Sequence, residues 1–309
     1  MSSIFIQIPS YRDFELNKTI ASAVNNASGE NKLHFGIHQC LFFDSEIVIN
    51  KFYPDWVTMD CANSIAPNNI GLQKSRYIAN EFYNNEDYYF QIDAHMRFVK
   101  NWDLKAIKMI NNFINFGIKK PLMTAYPCSY WYADDGVSEI ESDYYTTRIL
   151  FVQNTQQFTK TLIPLNTAYP VDAYCAYTYS VSGGCIFTFG SFAQIKPNQK
   201  IAFWGEEPLI AARAFTHGFD LVVPPEKLVS HLYAGGQRVK MIRRYHVWED
   251  FSSIWDQMEA VSKIEYKSIF TERRIGDDAL GAVRTLEEYE QFAGLDFRTG
   301  QIHQSKWAE

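Results

Sequence analysis

Short apolar runs and helix-spaced apolar faces take turns along the chain. Residues 4–8 form an apolar run, interrupted by Gln7 and stopped by Pro9, which fits a buried first strand. Residues 13–24 follow with helical spacing and close on the Asn25-Asn26-Ala27-Ser28-Gly29 loop. A second strand-like run covers 33–43, so strand, helix and strand arrive within about 40 residues, the spacing of a βαβ unit. Residues 44–69, rich in Asn and Pro, read as a loop. Leu72, Tyr77, Ile78, Phe82 and Tyr83 recur on overlapping helical faces, and 88–92 is a short strand ending at Asp93. Ligands of an open α/β sheet sit beyond the carboxyl ends of its strands, which brings Ser10-Tyr11-Arg12 and Asp93-Ala94-His95 to one crevice.

Further along, 102–116 is an amphipathic helix and 122–126 a strand. The stretch 127–180 is polar, tyrosine-rich and weakly periodic, as an insertion would be. Ser182-Gly183-Gly184 precedes the apolar run 185–189, and Trp204-Gly205-Glu206-Glu207 opens an apolar helix reaching Phe215. Residues 221–223 form a strand ended by Pro224-Pro225, and beyond about 245 the chain turns charged and helical. No repeat or low-complexity linker divides it. The expected fold is α/β: one main domain over 1–244, with a mainly helical extension over 245–309 packed on it.

Charge and composition narrow the class. Lys and Arg number 29 against 35 Asp and Glu, a net charge of −6, which argues against gripping nucleic acid by bulk charge. At 47% hydrophobic the chain can bury a large core and is no disordered segment. Its 19 Tyr, 23 Phe and 7 Trp are more aromatic surface than is usual, and so many tyrosines suit flat or polyhydroxylated ligands. Cysteines 40, 61, 128, 175 and 185 include no Cys-x-x-Cys, which disfavours a thiolate zinc knuckle or dithiol centre. No apolar run reaches membrane-spanning length and no signal-peptide pattern opens the chain, so the expectation is a cytoplasmic protein with no membrane partner.

Asp93-x-His95 is the most informative spacing, since a carboxylate and an imidazole at a strand end can share a divalent ion. Such mixed ligation suits Mn²⁺, with Mg²⁺, Co²⁺ or Zn²⁺ also accommodated. Taken alone it fits a solvated loop with a hydrogen-bonded histidine better. His231 can return a third ligand or pair with a carbonyl. Tyr11 and Arg12 can stack on a base and pair with a diphosphate, or be surface-loop residues. Gly183 and Gly184 permit close backbone approach to a substrate, as would any tight turn. Glu206 and Glu207 can hold sugar hydroxyls or an acceptor, or merely complement a helix dipole. The Gly-x-Ser-x-Gly elbow, His-Glu-x-x-His helix, kinase glycine loop and cytidine-deaminase signature are all missing.

Together these landmarks resemble the GlcNAc-transferase-like glycosyltransferase family, which includes a cytoplasmic hydroxyproline-directed polypeptide N-acetylglucosaminyltransferase. The resemblance runs through Ile6-Gln7-Ile8-Pro9-Ser10-Tyr11-Arg12-Asp13, Gly71-Leu72-Gln73-Lys74-Ser75-Arg76-Tyr77-Ile78-Ala79 and Gln91-Ile92-Asp93-Ala94-His95-Met96-Arg97-Phe98. It continues through Gly205-Glu206-Glu207, Thr216-His217-Gly218-Phe219-Asp220, His231-Leu232-Tyr233 and Leu280-Gly281-Ala282-Val283-Arg284-Thr285-Leu286. It implies a GT-A-like, Rossmann-like nucleotide-sugar-binding sheet flanked by helices. It also implies metal ligation by Asp93, His95 and His231, with Ala94 where the family usually has serine. Tyr11 and Arg12 then match the nucleotide loop, Arg76 supports the donor phosphates, Gly183 and Gly184 form the sugar-side pair, and Glu206 or Glu207 makes the catalytic contact. The implied reaction is retaining transfer from a nucleoside diphosphate sugar (UDP-GlcNAc, UDP-glucose or a pentose nucleotide) to a hydroxyl. A protein acceptor comes first, with a saccharide or hydroxymethylated phage DNA as alternatives. A non-catalytic nucleotide-sugar or carbohydrate-binding protein and a metal hydrolase are the competing classes. Tyr126, Tyr130, Trp131, Tyr132, Tyr174 and Trp204 are expected to line the sugar or acceptor cleft. The basic cluster Arg238, Lys240, Arg243 and Arg244 is a solvated face or a support to the donor.

Overall fold

The computed structural model describes residues 1–43, 53–143, 146–152, 156–171, 177–233 and 245–303. Its centre is a seven-stranded sheet. In chain order the strands are β1 (Ser3–Tyr11), β2 (Lys32–Leu41), β3 (Val57–Ile65), β4 (Tyr88–Ile92), β5 (Met96–Phe98), β6 (Pro121–Thr124) and β7 (Cys128–Tyr132). Then come β8 (Glu139–Glu141), β9 (Thr147–Phe151), β10 (Asn166–Pro170), β11 (Cys185–Phe189), β12 (Asp220–Val222), β13 (Val229–His231), β14 (Leu295–Asp296) and β15 (Gln301–Ile302). The helices are α1 (Leu16–Asn26), α2 (Leu72–Asn80), α3 (Trp102–Asn115), α4 (Gln156–Thr161), α5 (Glu206–Thr216), α6 (Val247–Asp250), α7 (Ser252–Thr271) and α8 (Leu286–Ala293).

The main sheet runs β12-β6-β11-β4-β1-β2-β3. Strands β3, β2, β1 and β4 are mutually parallel, and β11 is antiparallel to both its neighbours, β4 and β6. Because side chains alternate across a strand, Ile4, Ile6 and Ile8 pack with α1 and α3 on one face. On the other, Phe5 and Tyr89 join Leu209 of α5, Tyr266 and Ile269 of α7 and Phe292 of α8. Burial on both faces explains why the central strands read as continuous apolar runs. The extension beyond 245 is mainly helical, as expected, and it buries Tyr266 and Tyr289 completely in this shared core. Thr285 and Glu288 form a capping box at the start of α8, a local signal written in the chain. Among the described residues, no helix is long and apolar enough to cross a membrane.

Three expectations change. Pro9 does not stop β1: it pairs with His38 and the strand continues to Tyr11. Pairing with β4 ends at Gln7, so a residue without an N–H falls where β1 has only one neighbour. Residues 57–65 are not loop but β3, whose half-exposed, polar-rich face belongs to the sheet's outer edge. The weakly periodic 127–180 stretch contains β7 to β10 and α4, short elements whose partners lie far away in sequence. Of these, β7 and β8 join a second sheet ordered β5-β13-β7-β8.

Candidate functional site

The floor of the crevice forms where the two sheets meet. β4 ends at Ile92, so Asp93 stands at a strand's carboxyl end, and His95 immediately precedes β5. β13 pairs His231 with Met96, and the Leu232 N–H donates to the His95 carbonyl at 3.1 Å. One ligand atom from each of Asp93, His95 and His231 lies within 4.8 Å of the others. His95 Nε2 is 2.9 Å from His231 Nε2, which is 3.3 Å from Asp93 Oδ2. His95 Nδ1 lies 2.8 Å from Asp13 Oδ2. With Asp13 ionised, Nδ1 donates and the Nε2 lone pair is turned to the site, the usual support of a ligating imidazole. Burial alone would raise the Asp93 pKa, but His231, Arg76 and His95 together hold it well below the ordinary carboxylate range. A charged oxygen and two imidazole nitrogens converging this closely fit one divalent cation.

Arg76 lies beneath this floor, only 1% exposed. Its Nε donates to Glu206 Oε1 at 2.8 Å, and its Nη2 donates to Asp93 Oδ1 at 3.0 Å and to the Gly183 carbonyl at 2.8 Å. That is a different placement from the donor-phosphate contact expected, because the guanidinium is spent on protein acceptors. Gln73 Nε2 adds a second bond to Glu206 Oε1 at 2.8 Å. Gly183 and Gly184 pass directly over the two acids: a Cβ on Gly184 would overlap the Asp93 carboxylate, and one on Gly183 would sit 3.3 Å from Glu206 Oε1. Gly205, at φ 89°, takes a left-handed turn into α5. Glu206 then enters the floor while Glu207 receives Tyr126 Oη–H at 2.6 Å, Asn166 Nδ2–H at 2.8 Å and the Gly183 N–H at 2.9 Å. Burial pushes the Glu207 pKa up to about 7, against the lowering pull of Tyr126 and Gly183. Burial raises Glu206 as well, opposed by Arg76.

A cavity of about 410 Å³ opens above the floor, lined by Asp93, His95 and His231 and walled by Phe203, Trp248 and Trp255. Tyr11 reaches its rim, and Tyr11 and Arg12 are tied to the extension: Tyr11 Oη donates to Asp250 Oδ2 at 2.8 Å and Arg12 Nη1 at 3.2 Å. The Arg12 guanidinium lies between the rings of Phe42 and Tyr245, 3.8 and 3.9 Å from their centroids. Tyr130 and Tyr132, expected at the cleft, are buried beside the Glu15–Arg97 ion pair, Tyr132 donating to Glu15 Oε1 at 2.7 Å and the Arg97 guanidinium lying 4.7 Å from the centre of the Tyr130 ring. Trp131 is half-buried and Trp204 exposed. Tyr174, Arg238, Lys240, Arg243 and Arg244 lie outside the described residues. Sequence reasoning missed Asp13 as the support of His95, Asn166 and Asp250. Asp13 sits inside the opening motif and could have been found there, whereas nothing near Asp250 points to a partner more than two hundred residues away.

A parallel sheet with one reversed strand, and an acid–imidazole triad where a small second sheet branches off, define a GT-A-like scaffold. The family model Glycosyltransferase (GlcNAc) matches residues 68–299, well over half of the chain, and the chain belongs to that family. The match is to the family and does not single out its hydroxyproline-directed member. Among solved structures, the chain is similar to GalNAc-T7 crystallised with UDP, GalNAc and Mn²⁺. That likeness has 14% identity and a TM-score of 0.50 over 94% of this chain and 54% of the other. It is also similar to S. aureus TarS 1–349 in complex with UDP-GlcNAc, at 12% identity and TM-score 0.45 over 87% of this chain and 71% of that one. A second S. aureus TarS structure shows 10% identity and a TM-score of 0.47 over 94% and 42%. At 14% identity the likeness to GalNAc-T7 is one of fold, and the chain spans about half the length of GalNAc-T7. A comparison with curated protein sequences gives no match. Family and triad together support a metal-dependent glycosyltransferase reaction.

Proposed function

We propose that the chain transfers a sugar from a nucleoside diphosphate donor, UDP-GlcNAc or a close relative, to a hydroxyl on a protein acceptor, with retention at the anomeric carbon. One observation carries this reading: the triad lies on the floor of a cavity large enough for a nucleotide, next to the glycine pair that passes over Asp93 and Glu206. Asp93, His95 and His231 would hold the divalent cation, and their mixed oxygen and nitrogen donors would favour Mn²⁺ over Mg²⁺. When bound, the cation supplies charge neutralisation for the departing diphosphate. Residues 1–244 form the catalytic domain, and 245–309 the extension that adds Trp248 and Trp255 to the aromatic wall.

The residues of this chain bind, orient and exclude water. Tyr11 and the wall aromatics receive the base, and Arg12 meets the diphosphate once Asp250 yields. Gly183 and Gly184 let the sugar approach the backbone. Of the two acids Glu207 is the contact to sugar or acceptor, since it is half-buried, with its oxygens held by Tyr126, Asn166 and the Gly183 N–H, whereas Glu206 is buried against Arg76 and Gln73. In the retaining step the anomeric carbon–phosphate oxygen bond breaks, the bond to the acceptor oxygen forms on the same face, and the acceptor proton passes to the leaving phosphate oxygen. No dedicated base is required. Holding both substrates in this geometry lowers the entropic cost of their meeting.

The test is mass spectrometry of products from a donor panel offered with peptide, oligosaccharide and hydroxymethylated-DNA acceptors in Mn²⁺ or Mg²⁺. A mass gain of one sugar on the peptide is the expected result. Transfer to DNA or saccharide reassigns the acceptor, and donor hydrolysis without transfer makes the chain a hydrolase. Donor binding without turnover makes it a binding protein.

A further inference from the structure

Asp93 uses its two oxygens differently. Oδ1 accepts from Arg76 Nη2 at 3.0 Å, while Oδ2 lies 3.3 Å from His231 Nε2, on the side of the imidazole pair. The same guanidinium reaches Glu206 Oε1 through Nε at 2.8 Å and the Gly183 carbonyl through Nη2 at 2.8 Å. Gln91 Nε2 donates to that carbonyl too, at 2.8 Å, so two side chains hold the glycine turn.

We propose that Arg76 is a positioning residue. It commits Asp93 Oδ1 to the protein, leaves Oδ2 as the carboxylate's single ligand atom, and ties that ligand to Glu206 so that the metal floor and the start of α5 hold one geometry. The inference rests on the metal reading above but concerns a residue that touches neither cation nor substrate. A buried carboxylate and a half-buried one around one buried guanidinium are tolerable only when each is hydrogen-bonded. A planar fork can serve both acids and a carbonyl at fixed angles, whereas an ammonium is a point charge without that geometry. Gly184 completes the arrangement, because its missing Cβ leaves the space the Asp93 carboxylate occupies.

The sign of one measurement separates positioning from plain electrostatics. A positive charge beside a metal ligand repels the cation, so removing it should tighten binding if charge were all that mattered. If Arg76 positions the ligand, removing it weakens binding instead. Mn²⁺ titration of the full chain without donor, by calorimetry with thermal melting of each variant, decides this. Arg76→Gln is expected to weaken Mn²⁺ by about 10-fold or more, the scale seen for partners that orient metal ligands. Arg76→Lys, which keeps the charge and loses the fork, should also weaken it. Glu206→Gln holds none of the three ligand atoms, yet by loosening Arg76 it should weaken Mn²⁺ by about 3-fold. Unchanged or tighter Mn²⁺ binding in a folded Arg76→Gln overturns the proposal. If that variant melts below the assay temperature, unchanged affinity in Glu206→Gln overturns it just as well. Wild type that binds no Mn²⁺ removes the metal site itself, and this inference with it.

Discussion

The floor and the wall of the crevice are built by different physics. In the floor, Asp93, His95, Arg76 and Glu206 each meet named partners at 2.8 to 3.3 Å, so direction specifies it. The wall is specified by area: Phe203 packs on Trp248 and Trp255 with ring centroids 5.4 and 6.4 Å apart, and His246 stacks on Trp248 at 4.5 Å. Hydrogen-bonded charges tolerate little displacement, whereas aromatic packing degrades gradually. The floor should therefore control metal binding and kcat, and the wall donor affinity.

The strongest challenge to that division is Asp93→Asn. It keeps the shape but removes the charged ligand, and should abolish Mn²⁺ binding and lower kcat/KM by about 10³-fold. Retained turnover in a product assay would mean that the metal sits elsewhere. Gly184→Ala comes next, because its methyl must displace the Asp93 carboxylate; kcat should fall about 10- to 100-fold with weaker Mn²⁺.

Glu207→Gln should cost about 10-fold in kcat and leave a signature in pH. Burial lifts the folded-state pKa of Glu207 to about 7 from an ordinary 4.5. The folded chain thus keeps a proton that the unfolded chain releases. That contribution is fully present below pH 4.5 and is lost as pH rises to 7, at most about 3 kcal/mol. Between pH 5 and pH 8 the wild-type Tm should fall more than that of the Gln variant, and parallel curves would refute the shift. The smallest effect belongs to the wall: Trp248→Ala should raise the donor KM about 5-fold with kcat unchanged, read from initial rates. A kcat loss as large as the floor variants show would erase the distinction between the two regions.

How much of this was legible depended on sequence distance. Asp93 and His95 could be read together because they are two residues apart at the end of an apolar run, and Glu206-Glu207 because they open a patterned helix. Arg76 reads as a support to donor phosphates because nothing local says that its guanidinium turns to Glu206, Asp93 and the Gly183 carbonyl. Tyr130 and Tyr132 read as ligand-facing aromatics because the Glu15–Arg97 pair they serve joins two segments distant from them in sequence. The edge strand β3 hid behind its polar, half-exposed face.

By itself the sequence determined the α/β class, the strand-end placement of the candidate ligands, the helical extension and, through distributed motifs, the family. Those are properties of local periodicity and residue type, which act over a few turns or a single strand. Only the tertiary structure decided which oxygen of Asp93 faces His231, that Asp13 holds His95, and that the extension's Asp250 clasps Tyr11 and Arg12. A hydrogen bond fixes a direction in space, and a direction between residues brought together by folding has no trace in their order along the chain.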